Sequence, residues 1–279
     1  MNRFLELLIS PILSLYSTSF YKRKLNESLK RGFIYLAYIS LIGAFSFLIM
    51  FQTRAMPILN EMAGWLSHEM PEMIIEQGKV SSSVAQPYIM KHPKFGNVMI
   101  LDSNKESLKP DEMSQAFIYI TKSLIYVHNP VQNDTQTIDL RQVEGQTKPQ
   151  GKTRKPEKVN GALVQAIYTQ IKPVLSVVFF FTVLLSLFLW KLGAAFSYSA
   201  IAIILNLFRE KQLPYPALLN VTIYAMTAVS VLQLMSLVTQ SIRFDVQPWI
   251  AIGITTVYLC LAFFIALPEE KEGHENLSD

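Results

Sequence analysis

Residues 173–208 read PVLSVVFFFTVLLSLFLWKLGAAFSYSAIAIILNLF, an apolar run interrupted by one charge, Lys191. A helix of ~20 apolar residues crosses a ~30 Å hydrocarbon core, so a run of this length reads as a membrane span. The same rule selects residues 33–51, 217–238 and 249–267, and none of the four stretches contains Asp, Glu, Arg or His. The chain therefore reads as a multi-pass membrane protein. Composition agrees: 51% of the 279 residues are hydrophobic and 16% charged, against roughly 25% charged in an ordinary soluble domain.

Charge distribution sets the expected orientation. The first 31 residues carry Arg3, Lys22, Arg23, Lys24, Lys30 and Arg31 against only Glu6 and Glu27. Basic residues close to a span favour the cytoplasmic side, which places the N-terminus inside and residues 52–172 outside. Long loops cross regardless of charge, so the lysines of that segment do not conflict. The net charge of +4 is a topology signal rather than a nucleic-acid site. Residues 4–16 are apolar but too short to cross, and the main basic cluster follows them, unlike a signal peptide. They read as a short interfacial helix, with the aromatics between Tyr16 and Tyr21 at headgroup level.

The expected fold class is membrane α-helical: a four-pass helical bundle with an extracytoplasmic α+β domain inserted between the first and second spans. Its segments are a cytoplasmic basic or interfacial stretch 1–31, a first transmembrane helix 32–51, the outer domain 52–145, and a basic linker with return helix 146–172. A long second transmembrane helix 173–208, a third 215–238, a fourth 249–268 and an acidic cytoplasmic tail 269–279 complete the chain. As one helix the second apolar run would be ~54 Å long at ~1.5 Å per residue. The alternative is five passes, with a turn back at Gly193. Four passes put Arg209 and Lys211 inside with both termini, and leave only Arg243 in a short outer loop. Trp190 and Lys191 read as a pair of interfacial anchors, the lysine snorkelling to the membrane surface.

The outer segment opens with helical spacing at Ile58, Met62, Trp65, Leu66 and Met70, stopped by Pro71. Short β-like runs follow at 72–75, 87–90, 98–101, 117–120 and 124–127, with Pro93 and Gly96 marking a hairpin and residues 121–123 a turn. Residues 145–161 are polar and basic and read as a flexible linker, or as a contact for anionic lipid. Cys260, the single cysteine, falls in the last span and reads as a packing residue, so the outer domain has no disulfide.

Chemical motifs are absent. His68, His92, His128 and His274 share no metal-ligand spacing, and His68-Glu69 lacks the second histidine of a zinc-protease helix. Ser81, Ser82 and Ser83 sit in no nucleophile elbow, and no phosphate-cradling glycine loop occurs. Asn133-Asp134-Thr135 matches a glycosylation acceptor on the expected outer side. The expectation is thus no catalytic residue, no cofactor and no metal. In the third span Asn220, Tyr224 and Thr227 lie at i, i+4 and i+7, on one helical face. Interhelical hydrogen bonds are the simple reading, at ~0.6 kcal/mol each; a polar substrate path is the alternative.

Several short motifs carry a resemblance: Ser19-Phe20-Tyr21 and Gly32-Phe33 at the first span, and Gly78-Lys79-Val80-Ser81 with Gln86-Pro87-Tyr88 outside. Leu213-Pro214-Tyr215 and Ile223-Tyr224-Ala225 continue it. The chain resembles the bacterial membrane-protein family known as domain of unknown function 1189, some of whose members are labelled maltodextrin-utilisation proteins. That family is distantly similar to the Yip superfamily of Rab-interacting membrane proteins. The resemblance implies a bacterial inner membrane and supplies no activity. The functional expectation is a non-enzymatic accessory or scaffold protein that binds a protein or envelope ligand through its outer domain. A transport-associated subunit, for sugar or maltodextrin uptake, is the alternative. Expected partners are the lipid bilayer and other membrane or envelope proteins, without nucleic acid.

Overall fold

The computed structural model describes residues 3–109, 112, 115–130, 132, 134–142, 157–209, 211–239 and 248–266. The acidic tail, Arg243, Asn133, His274 and residues 145–156 of the basic tract lie outside the described residues. The chain divides into two compact units, Met1–Arg54 with Leu175–Asp279, and Ala55–Val174.

Helices build the first unit, apolar except for the basic α2: α1 (Arg3–Tyr16), α2 (Thr18–Leu25), α3 (Leu29–Met50), the second part of α5 (Gly161–Asn206), α6 (Tyr215–Ala225), α7 (Thr227–Thr239) and α8 (Pro248–Cys260). A π-helical stretch, Leu261–Ala266, continues α8. Among the described residues, three helical runs are long and apolar enough to cross a membrane by length and composition: Leu29–Glu69, Gly161–Asn206 and Tyr215–Met235. The helical segment Pro248–Phe264 is apolar but shorter.

Residues 217–230 are buried without interruption. Helix α6 thus occupies the centre of the unit, enclosed by its neighbours. Leu218, Leu219, Val221 and Ile223 pack there with Tyr35, Leu36 and Ile39 of α3 and with Leu259 and Phe263. Phe20 and Tyr21 join the same core, fully or almost fully buried. This corrects the expectation that these aromatics line a membrane surface: α2 turns them against α6, and only Tyr16 of that stretch remains well exposed. The turn back at Gly193 required by five passes is also not formed. Helix α5 runs unbroken through Gly193 for 46 residues, ~69 Å at ~1.5 Å per residue.

The second unit is α+β. Helix α4 (Met56–Glu69) ends where Met70, before Pro71, adopts an extended backbone. Strands β1 (Met73–Glu76) and β2 (Lys79–Ser82) form a hairpin, and β8 (Glu157–Val159) pairs with the other edge of β1. Gln77 and Gly78 both have positive φ, 50° and 67°, as a tight two-residue hairpin turn requires. A five-stranded sheet has the order β3-β4-β5-β6-β7, from β3 (Tyr88–His92), β4 (Gly96–Leu101), β5 (Ile118–Ile120), β6 (Leu124–Asn129) and β7 (Asp134–Asp139). All its pairs are antiparallel except β4 with β5.

The strand period of two gives this sheet two apolar faces. Met90, Met99, Leu101 and Ile120 point to one side and pack with Met73 and Val80, with Trp65 and Leu66 of α4 against them. Ile100, Tyr119 and Tyr126, aligned across three strands, point to the other side with Leu108 and Ala116. The unit therefore has its own core and contains no cysteine.

Candidate functional site

Two polar places in the helical unit are built around a buried lysine, Lys24 or Lys191. The first lies where α2 turns into α3. Lys24 sits in the last turn of α2, and Glu27 and Arg31 follow at i+3 and i+7, so all three reach one side of the corner. The Lys24 ammonium donates to Glu27 Oε1 at 2.9 Å and to Glu6 Oε1 of α1 at 3.0 Å. Arg31 donates to Glu27 Oε1 at 3.0 Å. Two cations therefore face two carboxylates. Lys24 also lies 5.0 Å from the centre of the Phe20 ring and 5.3 Å from that of Tyr224, within range of cation–π attraction. The hydrogen bond from Lys24 holds the Glu6 carboxyl below its ordinary range, against the opposing effect of burial.

The three residues of the third apolar stretch converge on this corner. Asn220 Nδ2 donates to the carbonyls of Lys24 at 3.1 Å and Glu27 at 3.0 Å. The Lys24 carbonyl also accepts from the Glu27 amide at 3.3 Å, so Asn220 adds a side-chain donor to a turn that the backbone already closes. Tyr224 donates to Glu27 Oε2 at 3.4 Å. The Thr227 and Tyr35 hydroxyls are 2.7 Å apart. Gly32 lets α3 approach: a Cβ there would overlap Asn220 Oδ1. A cavity of about 170 Å³ lined by Glu6, Ser10, Lys24, Glu27, Arg31 and Tyr224 opens beside the charges. Its charges already neutralise one another, so the cluster holds helices in place and offers no unpaired acid or base.

The second polar place is Lys191. Trp190 does point outward and is 75% exposed, but Lys191 does not extend toward solvent as the anchor-pair reading expects. It is 8% exposed and donates to Ser230 Oγ of α7 at 2.6 Å. Ser230 in turn donates to the Met226 carbonyl at 3.2 Å, where α6 gives way to α7. Lys191 faces Ser230 of α7, whereas Trp190, ~100° round the helix from it, points away from the bundle. Beside Lys191 lies a cavity of about 290 Å³ lined by Ile39, Gly43, Phe47, Leu187, Ser230, Gln233 and Leu234.

In the sheet unit the candidate chemical residues serve the fold. Ser81 and Ser82 donate to the carbonyls of Ile74 and Glu72. His92 is buried edge-on to Trp65, with ring centres 4.6 Å apart, and its Nδ1 accepts from the Lys94 amide. His128 lies 3.1 Å from the Thr135 hydroxyl. Among the described residues no group of three or more His, Cys, Asp or Glu is placed to hold a metal ion.

Sequence reading counted Lys24 and Arg31 as topology charges and gave Glu6 and Glu27 no further role. The spacing of Lys24, Glu27 and Arg31 was the available signal for part of the cluster. Nothing local signals Glu6, which lies 18 positions from Lys24, or pairs Tyr224 of the polar face with Glu27, 197 positions away.

A mostly helical chain with three potential membrane-crossing helices and a separate sheet unit is the class defined here. The chain belongs to the family described as "Protein of unknown function (DUF1189)", whose family model matches residues 11–263. Neither a curated protein nor a solved structure matches it.

Proposed function

We propose that this is a four-pass protein of the bacterial cytoplasmic membrane with both termini inside. Residues 55–174 then lie outside and bind a protein or envelope ligand, which makes the chain a non-enzymatic accessory or scaffold protein. One observation carries the reading. A unit with its own two-sided sheet core is set between the first two of the three long apolar helical runs. Exposed Val178, Phe181, Leu185 and Leu189 at helical spacing on α5 support lipid contact. The basic residues ahead of α3 support the orientation. The transport alternative, with Asn220, Tyr224 and Thr227 lining a substrate path, is less favoured. Those side chains are engaged with α2, α3 and the corner between them.

Reporter fusions at Gln212 and Asp279 test the topology, and both are expected to report cytoplasm; an external signal from either overturns four passes. Photocrosslinkers placed at the exposed Ile89 and Ile138 in intact cells test binding. Discrete heavier adducts of the outer unit are expected, and recovery of uncrosslinked monomer alone removes the accessory role.

A further inference from the structure

We propose that the cavity beside Lys191 binds an anionic amphiphile from the bilayer, its charged oxygen on the lysine and its hydrocarbon chain along the apolar wall. The argument begins with a missing counter-charge. Helices α3, α5, α6, α7 and α8 contain no Asp or Glu. Lys191 thus has a neutral hydroxyl as its hydrogen-bond partner, although a buried ammonium is strongly favoured by a paired anion. A second copy of the chain, meeting the first through these helices, brings no carboxylate either.

Lys191 lies far from both ends of the apolar part of its helix. Ser176 accepts from Gln52 beyond the end of α3, and Asn206 bonds Leu213 in the connection to α6. Lys191 lies 15 residues from each (191 − 176 and 206 − 191), about 22 Å of helix either way. Ionisable groups at such depth mark ligand or ion sites.

The shape of the cavity selects the ligand. Lys191, Ser230 and Gln233 make one polar end, and Ile39, Phe47 and Leu187 supply an apolar wall. Its volume of about 290 Å³ is about twice that of a ~150 Å³ cavity able to hold benzene. That admits a carboxylate or phosphate oxygen group with a short run of methylenes. The exposed Trp190 at the edge leaves the rest of the chain an exit into lipid.

The test uses the full chain in lipid nanodiscs with Trp65→Phe and Trp249→Phe, so that Trp190 is the sole tryptophan. Dibrominated stearate, dibrominated phosphatidylglycerol and dibrominated phosphatidylcholine serve as quenchers. Half-maximal quenching by at least one anionic probe is expected at a concentration at least tenfold below that for phosphatidylcholine. Preference for stearate identifies a free fatty acid, preference for phosphatidylglycerol a phospholipid, and preference for both the shared anionic group. Lys191→Met should abolish the preference, and Leu234→Phe should weaken it by narrowing the wall while the lysine remains. Equal quenching by all three probes, or an undiminished preference in Lys191→Met, overturns the proposal. The inference rests on the membrane reading above. Protein is therefore taken from carbonate-washed membranes: release in the wash breaks that reading, and loss of preference breaks only this one.

Discussion

Lys24 and Lys191 are both buried in the helical unit, and their surroundings differ in kind. Lys24 has Glu6 and Glu27 within 3.0 Å, two aromatic rings beside it and Arg31 completing a balanced set. Lys191 has Ser230 and a cavity. The first is a closed ionic joint whose members exist to hold α1, α2, α3 and α6 together. The second has its charge left over. Burial alone therefore says little about a lysine's role, and the identity of the counter-charge says much more.

The largest expected effect tests that contrast directly. Lys24→Met leaves Glu6 without its partner and Glu27 with only Arg31 and the Tyr224 hydroxyl, and breaking a buried pair costs about 3–5 kcal/mol. The same change at Lys191 replaces an uncompensated charge by an apolar group of similar size and is expected to be neutral or stabilising. Thermal unfolding of both variants in one detergent measures the difference, and equal melting temperatures would dissolve the comparison. Next, Gly32→Ala drives a methyl group into Asn220 Oδ1, an overpacking cost of about 1–3 kcal/mol. Combining it with Asn220→Ala should recover part of that loss, since neighbouring sites are not additive. Fully additive losses would mean that the two residues do not share the corner.

The smallest effect is the pH response of the joint. Folding holds Glu6 below its ordinary value of 4.5. Its stabilisation is fully present above that value and is lost as pH falls through the lowered one. Acidification from pH 6 to 3 should loosen α1 by less than about 1 kcal/mol, because Glu6 is partly exposed. Protease sensitivity within α1 reports it, and Glu6→Gln should remove this part of the pH dependence. A variant with an unchanged acid response would assign the loosening to other carboxylates.

Local patterns made much of the sheet unit legible. The spacing from Ile58 to Met70 and the stop at Pro71 match α4, and the β3–β4 and β5–β6 pairs fall on the expected runs. Strand β7, Asp-Thr-Gln-Thr-Ile-Asp, was invisible because it is an edge strand with mostly exposed positions and little apolar alternation. Strand β8 was hidden in a basic tract and relies on pairing with β1, with Lys158 on Glu72. In the helical unit, hydropathy gave the apolar helices but not their rotation. Lys191 was assigned outward by counting residues along a span, whereas its direction is decided by Ser230, 39 positions away. The shared face of Asn220, Tyr224 and Thr227 was readable from helical spacing; its partners in α2 and α3 were not.

The Asn220 amide and the Lys24 carbonyl that it caps are 196 positions apart in the chain. At a synthesis rate of roughly 5–20 residues per second, the cap leaves the ribosome some 10–40 s after the corner has been made. For that interval α1 and α2 exist without the helix that later encloses them, and the whole sheet unit is translated in between. Over that interval Lys24 has Glu6 and Glu27, made along with it, while Asn220 and the Tyr224 ring are still to come.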